Sequence, residues 1–565
     1  MISPDTPFFD TVIVGGGSAG CVMANRLSAD PSHRVLLVEA GEDTPPDAVP
    51  EPIADSYPMG LFHGDRFIWP GLSAFTTRRQ DGSRGTRAYE QGRVMGGGSS
   101  INVQSANRGL PRDYDEWAGL GARGWAWDDV LPYFIKLERD LDCDGPLHGK
   151  TGPIPIRRIL PPGWPAFAEA ATDAFAASGL PWRLDQNGEF EDGVFPPAFN
   201  NESDRRVSTA VAYLDPATRA RRNLAIWPGT RLAGLLMEGL SATGVEVERE
   251  GVLLRIAAGR VVVTAGALQT PAILMRAGIG DGAELAALGI PVVAHRPGVG
   301  RNLRDHPTLT FCQYLPPRLR LAAAYRRASF AALRFSSGLA GGEASDMYAT
   351  ASARAGWHGL GRRLGLYFLW CNRPKSSGRV RLLSPDPFVY PEADLNLLSD
   401  PSDLARMMAG VRTLVRLLVC EALNPDSGDL FPAAFSPFIK TLSRVSRRNA
   451  LLTEVLGALL DVPPMLRQPA LRRFMSGGVA LAEVVADDAR LEKLVRTNVF
   501  GVWHASGTCR MGDPEDPQAV LDPAGRVIGS GNIYVADASV MPRLPTANTN
   551  IPVIMIAEKI AAGLV

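Results

Sequence analysis

The first residues whose types and spacing point to chemistry are glycines. Gly15, Gly17 and Gly20 fall in Gly15-Gly16-Gly17-Ser18-Ala19-Gly20, directly after the β-branched run Thr11-Val12-Ile13-Val14. Glycines let the backbone approach a pyrophosphate at the N-terminus of the helix that follows. Glu39 stands 19 residues after Gly20. That is close to the spacing of about 20 residues at which an acid accepts hydrogen bonds from ribose hydroxyls. An acid there disfavours a 2′-phosphate. The set predicts a dinucleotide site, and by itself leaves FAD and NAD open.

Other reactive residue types are scattered. Cys21, Cys143, Cys312, Cys371, Cys420 and Cys509 show neither metal-ligand nor CxxC spacing, so they read as inert thiols and no metal site is expected. Of the seven histidines, His33, His63, His295 and His358 carry no motif and read as core or surface residues.

The elements that must position the glycine loop are legible around it. Thr11–Val14, the stretch from Cys21 to Leu27 and residues 34–39 read as strand, helix and strand, the βαβ unit of a doubly wound fold. Residues 42–90 are rich in turns. Residues 112–140 predict a helix bearing Trp117, Trp125 and Trp127. Residues 152–260 read as strands and turns, 260–264 as a buried strand, 269–277 as a helix, and 301–490 as polar and irregular. The C-terminus reads as a strand at 533–537, a loop and an amphipathic helix. The pattern predicts two interleaved domains: residues 1–154, 201–310 and 530–565 binding the dinucleotide, and 155–200 with 311–529 facing the substrate.

Composition narrows the class. Among 565 residues, Lys plus Arg and Asp plus Glu each number 59, so the net charge is zero. This argues against a globally basic nucleic-acid binder and against an acidic disordered chain. There is no run of 18 uncharged apolar residues and no basic-then-apolar leader, so neither a transmembrane helix nor a signal peptide is expected, and a cytoplasmic location is the default.

Further segments carry a resemblance. Residues 92–102 (Gly-Arg-Val-Met-Gly-Gly-Gly-Ser-Ser-Ile-Asn) and 266–280 (from Gly266-Ala267-Leu268-Gln269-Thr270-Pro271) resemble the two signatures of the glucose–methanol–choline (GMC) flavin oxidoreductases. The second departs only in Ala277, where serine is usual. Residues 297–306, ending Asp305-His306, and residues 535–542 match further family segments, so the resemblance spans nearly the whole chain. Residues 108–117, 145–149, 502–508 and 545–550 resemble bacterial 5-hydroxymethylfurfural oxidases and aryl-alcohol oxidases.

The resemblance implies a Rossmann-like α/β FAD-binding domain interleaved with an α+β substrate domain whose antiparallel sheet is flanked by helices. It implies FAD contacts from Gly15, Gly17, Ser18, Ala19, Gly20, Glu39, Ala40, Arg93, Gly97, Gly98, Ser99, Asn102, Val103, Trp503, Asp537, Ala538, Asn548 and Thr549, and a backbone contact to adenine from Leu232. Ile101 replaces the histidine that links FAD covalently in some members, so the expected FAD is non-covalent. His504 matches the catalytic histidine and Asn548 its partner. The expected reaction is oxidation of a primary alcohol, aryl or furanic, with the proton passing to His504 and the hydride to flavin N5, and O2 reduced to H2O2. Alternatives are a dehydrogenase with another electron acceptor, a longer-chain alcohol oxidase, a fatty-acid photodecarboxylase suggested by Arg373, a hydroxynitrile lyase, or a flavoprotein without turnover. Trp503 and Trp370 are expected to wall the substrate pocket. His306 reads as structural and distant from the chemistry.

Two stretches are locally basic. Residues 318–342 hold Arg318, Arg320, Arg326, Arg327 and Arg334 without an acid. Residues 435–475 hold Lys440, Arg444, Arg447, Arg448, Arg467, Arg472 and Arg473 among Phe435, Phe438, Leu451, Leu452, Leu456 and Leu459. Both read as basic insertions; 435–475 reads as a solvated helical insertion or lid, with a subunit interface, a peripheral membrane contact or a tunnel for a longer amphipathic or anionic substrate as alternatives. Oligomeric state is left open.

Overall fold

The computed structural model describes residues 6–78, 82–322, 325–420, 423, 430–433, 437–475 and 481–565. Phe435 lies outside them, as do the side chains of His63, Phe438, Arg472 and Arg473.

Short β-branched runs with no polar alternation suit parallel strands buried on both faces. Five parallel segments form the heart of one sheet. Its order is Leu224–Trp227, Val35–Val38, Phe8–Val14, Val252–Val263, Ser241–Arg249, Thr230–Glu238, and Ile533–Val535 also pairs with Val252–Val263. The pairs among 8–14, 35–38, 224–227, 533–535 and the far end of 252–263 are parallel, whereas 230–263 folds as an antiparallel meander. Helix Ser18–Leu27 packs against the C-terminal helix Asn550–Ala562, joined by the Arg26–Glu558 ion pair at 2.6 Å.

The second large sheet is antiparallel. Its order is Leu430–Pro432, Pro307–Tyr314, Leu364–Cys371, Met347–Ser352, Ser329–Phe335, Gly193–Phe195, with Phe500–Gly501 pairing along Pro307–Tyr314. In register, Tyr348 faces Trp370, Thr350 faces Phe368 and Ser352 faces Leu366. Because side chains alternate along a strand, all six lie on one face, and all six line the cavity described below. The 18-residue helix Pro401–Leu418 packs on this sheet, burying Met407, Val411 and Leu414. Residue Gly410 is the point of closest approach, since a Cβ there would meet Met347 Cε at 2.5 Å.

Several expectations are corrected. Residues 301–490 are not irregular: they supply most of the second sheet and its longest helix. Strand Pro307–Tyr314 also runs across the boundary placed at 310. Residues 112–140 hold two helices, Pro111–Gly119 and Trp127–Leu137, with Trp125 buried in the turn between them. The segment 152–260 includes a helix, Ala166–Ala176, and the helix expected from 269 begins at Gly266. The turn-rich 42–90 contains strands Ser73–Arg78 and Arg84–Ala88 of a small separate sheet.

The basic stretch 318–342 is not a solvated face. Arg327 and Arg334 are buried. Arg334 donates to the carbonyls of Gln186, Glu189 and Glu191, and Arg327 donates to Asn201. Arg320 and Arg326 pair with Asp461 and Asp55. The acids come from distant segments, so charge counted within a short window says nothing about pairing.

Candidate active site

A cavity of about 480 Å³ runs between the two sheets. One part is walled by the first βα turn. Gly15, Gly17, Ser18 and Ala19 line it together with Glu39, Ala40 and Leu232. The Glu39 carboxylate accepts from the amides of Gly16 and Gly41, each at 2.8 Å. Burial, only partly offset by those amides, pushes this carboxyl up to about 7.

The second glycine cluster packs directly on the first. Gly96 N donates to Gly16 O at 2.7 Å. Gly97 sits at φ +50°, and a Cβ there would stand 2.7 Å from Gly17 Cα. Both facts exclude a side chain at this crossing.

Gly97, Gly98, Asn102, Val103, Asp537, Ala538, Asn548, Thr549, Trp503 and Trp370 also line the cavity. Three expected contacts stand back from the wall. Gly20 is jammed against the Gly15 carbonyl, where it allows helix and strand to meet. Ser99 Oγ donates to Gly96 O at 2.6 Å. The Arg93 guanidinium lies over the Trp69 ring, 5.3 Å from its centroid.

Polar atoms in the wall test whether FAD fits. Gln269 Nε2 and Asn550 Nδ2 are buried without a hydrogen-bond partner, and both residues line the cavity. Unpaired buried donors are costly, and a flavin ring and pyrophosphate offer the acceptors they lack. Together with a glycine-walled end and a carboxylate suited to ribose hydroxyls, the residues present fit FAD.

The other reactive cluster centres on His504. Its ring is buried, with Nε2 3.0 Å from Asn548 Nδ2 and Nδ1 2.8 Å from His306 Nδ1. The expectation for His306 is thus corrected: the chain folds Asp305-His306 directly beneath residues 502–505. Asp305 fixes this arrangement. Its Oδ1 accepts from the amides of His306, Val502 and His504, and its Oδ2 accepts from the Tyr89 hydroxyl at 2.5 Å. Burial pushes this carboxyl up to about 7 despite the four donors.

Hydrogen-bond partners decide the tautomers. His306 Nε2 lies 3.1 Å from Asn372 O and 3.2 Å from Pro545 O. Carbonyls only accept, so Nε2 carries the hydrogen. Burial holds the His306 imidazole down to about 4, so near pH 7 the ring is neutral and its Nδ1 is a lone pair. His504 Nδ1 must therefore donate. Burial first, and then His306, hold His504 well below the ordinary imidazole range, so its Nε2 is an unprotonated lone pair on the cavity side that accepts from Asn548 Nδ2.

Trp503 adopts φ +63°, a strained conformation for a bulky residue. Its indole N–H donates to Glu90 Oε2 at 2.9 Å, and its ring stacks on Phe62 with centroids 6.0 Å apart. Lys440 donates to the other Glu90 oxygen at 2.8 Å. Asn548 is placed by Asn107, which accepts its amide at 2.9 Å. The turn before it is pinned by Asp113, which accepts both the amide and hydroxyl of Thr546.

Arg373 belongs to that buttress. It pairs with Asp113 at 2.5 Å and Glu116 at 2.6 Å and does not line the cavity. Trp370 lines the cavity with its indole N–H bonded to Asn372 and its ring stacked on Tyr348. Away from the cavity, Glu138, Asp140 and His148 cluster. Arg108 and Arg158 pair with the two acids. Burial opposes charge on His148, yet Asp140, Asp185 and Glu138 hold it up to about 10, so the group reads as an internal ion network.

Sequence reasoning overlooked Glu90, Asp305 and Tyr89. Asp305 lay inside a quoted motif, but nothing in the sequence marks Glu90 or Tyr89, because their partners are more than 200 positions away.

Comparison with known proteins gives the family. The GMC oxidoreductase family models match residues 9–308 and 374–557. The chain belongs to the GMC oxidoreductases. A 5-(hydroxymethyl)furfural oxidase of Methylovorus sp. (strain MP688) is 46% identical, covering 98% of each chain. An oxygen-dependent choline dehydrogenase of Vibrio vulnificus (strain YJ016) is 32% identical over 98% of this chain and 93% of its own. The crystal structure of pyridoxine 4-oxidase from Mesorbium loti superposes with a TM-score of 0.78 at 27% identity, covering 98% of this chain and 99% of that one. As a GMC oxidoreductase, the chain is an FAD-dependent enzyme acting on alcohol donors, with the Rossmann-like FAD-binding domain of that family. No helix among the described residues is long and apolar enough to cross a membrane.

Proposed function

We propose that this enzyme oxidises a primary alcohol, aryl or furanic, to the aldehyde, with O2 as final acceptor. The observation that carries the reading is the contact of His504 Nε2 with Asn548 Nδ2 at 3.0 Å on the wall of the FAD-compatible cavity. The substrate hydroxyl replaces the Asn548 N–H at His504 Nε2, which then takes the hydroxyl proton, since a neutral imidazole is a competent general base near pH 7. Asn548 has a second N–H with which to hold the substrate oxygen, and it does not titrate. His306 keeps the proton of His504 on Nδ1 and away from the reacting side. Bound FAD supplies the hydride acceptor for the carbinol carbon. Protonated His504 then stands where it stabilises negative charge formed by the transfer.

The aryl or furanic preference is supported by Trp503, Trp370, Phe368 and Tyr348 on the cavity wall and by the name of the 46% identical relative. A larger alcohol is the second reading, because Ile439 and Ser443 extend the wall beyond the two sheets. Non-covalent FAD is supported by Ile101, which offers no nucleophile. All six cysteines are free thiols, which agrees with a cytoplasmic location. The division into interleaved FAD and substrate domains is supported by two separate sheets, each drawing on distant segments.

The test is anaerobic mixing of the purified yellow protein with benzyl alcohol, 5-hydroxymethylfurfural and straight-chain alcohols. Bleaching of the flavin band by the first two, with peroxide on readmitting air, is expected. A flavin that none of them bleaches would overturn the reading, and bleaching without peroxide would move the acceptor away from O2.

A further inference from the structure

Helix Arg447–Ala458 is amphipathic in the wrong sense for a water-exposed element. Arg448, Leu451, Leu452, Val455 and Leu459 fall within about 100° of arc at 3.6 residues per turn. That stripe points outward: Leu451 is 71% exposed, Val455 56% and Leu459 61%. The inward face carries Thr453 and Gly457 instead. Gly457 is required there, since a Cβ would meet the Arg363 guanidinium at 2.8 Å and Gly359 O at 3.0 Å. The helix is thus seated on small residues with its leucines turned to solvent. Val445, before the helix in the chain, and Met465 and Leu466, after it, are exposed as well.

The charge left unpaired along this segment, among the described residues, has one sign. Glu454 and Asp461 are the acids between 437 and 475. Glu454 pairs with Arg362 and Arg363, and Asp461 with Arg320 and Arg363. Arg444, Arg447 and Arg448 are exposed and form no ion pair among the described residues. Exposed apolar residues ringed by unpaired arginines fit a partner that is both apolar and anionic. A two-fold contact with a second copy would bring this cationic rim against itself.

We propose that residues 444–466 dock the enzyme on an anionic phospholipid surface, with the leucine stripe in the interface and the arginines on the headgroups. The preceding helix, Pro437–Ser443, supplies Ile439, Lys440 and Ser443 to the cavity wall. Docking here would therefore set the catalytic cavity against the membrane, where alcohols that partition into lipid are concentrated.

The experiment is co-sedimentation of the FAD-loaded full chain with phosphatidylcholine vesicles and with mixed phosphatidylcholine–phosphatidylglycerol vesicles. Binding to the mixed vesicles, weakened by salt and absent with phosphatidylcholine alone, is expected. Arg447→Ala with Arg448→Ala should weaken it about fivefold per arginine. Leu451→Ser, Leu452→Ser, Val455→Ser and Leu459→Ser together should abolish it, leaving FAD content and turnover of a water-soluble alcohol unchanged. The proposal is overturned if mixed vesicles do not bind the parent protein or bind the serine variant equally well. It is also overturned if the parent is a dimer that the serine substitutions split, because a second copy then covers the stripe.

Discussion

His306 Nδ1 lies 2.8 Å from His504 Nδ1, and a single hydrogen occupies that contact. Two carbonyls claim the far nitrogen of His306, so the hydrogen belongs to His504. A buried, neutral histidine thereby leaves its neighbour with an unprotonated Nε2 that accepts from Asn548. The pair works through tautomer selection, and neither ring needs a charge before the substrate's proton arrives.

His504→Ala should cut flavin reduction by about 10²- to 10⁴-fold, the usual contribution of a general base. FAD content should stay near parental, because the glycine loops and Glu39 hold a different part of the cofactor. Anaerobic stopped-flow absorbance with benzyl alcohol reads the rate, and an unchanged rate would remove His504 from the reaction.

His306→Phe should lower the reduction rate about tenfold or more while FAD remains bound, since His504 then loses the acceptor that fixes its tautomer. A purely structural His306 would instead lose stability with the rate per bound flavin unaltered.

Acid should destabilise the protein. His306 is held at about 4 in the fold, below its ordinary 6.5, so the unfolded chain takes up the proton first. Stability from this group is complete above 6.5 and is lost as pH falls through that window, by about 2 kcal/mol near pH 5. His504 is shifted in the same direction. Urea unfolding near pH 7 and pH 5 measures the slope, and His306→Phe should flatten it.

Glu90→Gln should raise KM for aromatic alcohols several-fold with a smaller change in the rate at saturation. The carboxylate holds the Trp503 indole at 2.9 Å and Lys440 at 2.8 Å, and charge-assisted bonds are the stronger kind. A fall in the saturating rate with KM unmoved would show that Glu90 serves the chemistry instead of the pocket wall.

What the sequence determined is what local spacing encodes. The β-branched run, the glycines at 15–20 and Glu39 are a contiguous device, because a pyrophosphate site is made of backbone at one βα turn. The family segments at 92–102 and 266–280, with His504 and Asn548, were legible for the same reason: each is short and tied to FAD or to the reacting group. The antiparallel sheet was implied by the resemblance alone; its strands could not be placed from the sequence because Pro307–Tyr314, Ser329–Phe335 and Leu364–Cys371 are buried along almost their whole length and lose their alternation. Only the tertiary structure brought His306 under His504, since 198 positions separate them and burial, which sets both tautomer and charge, is a property of the packed chain. It likewise decided that the arginines at 327 and 334 are internal while the leucines at 451–459 face outward. Which side of a helix meets the core depends on what the core offers it, and here it offers room only for Gly457 and Thr453.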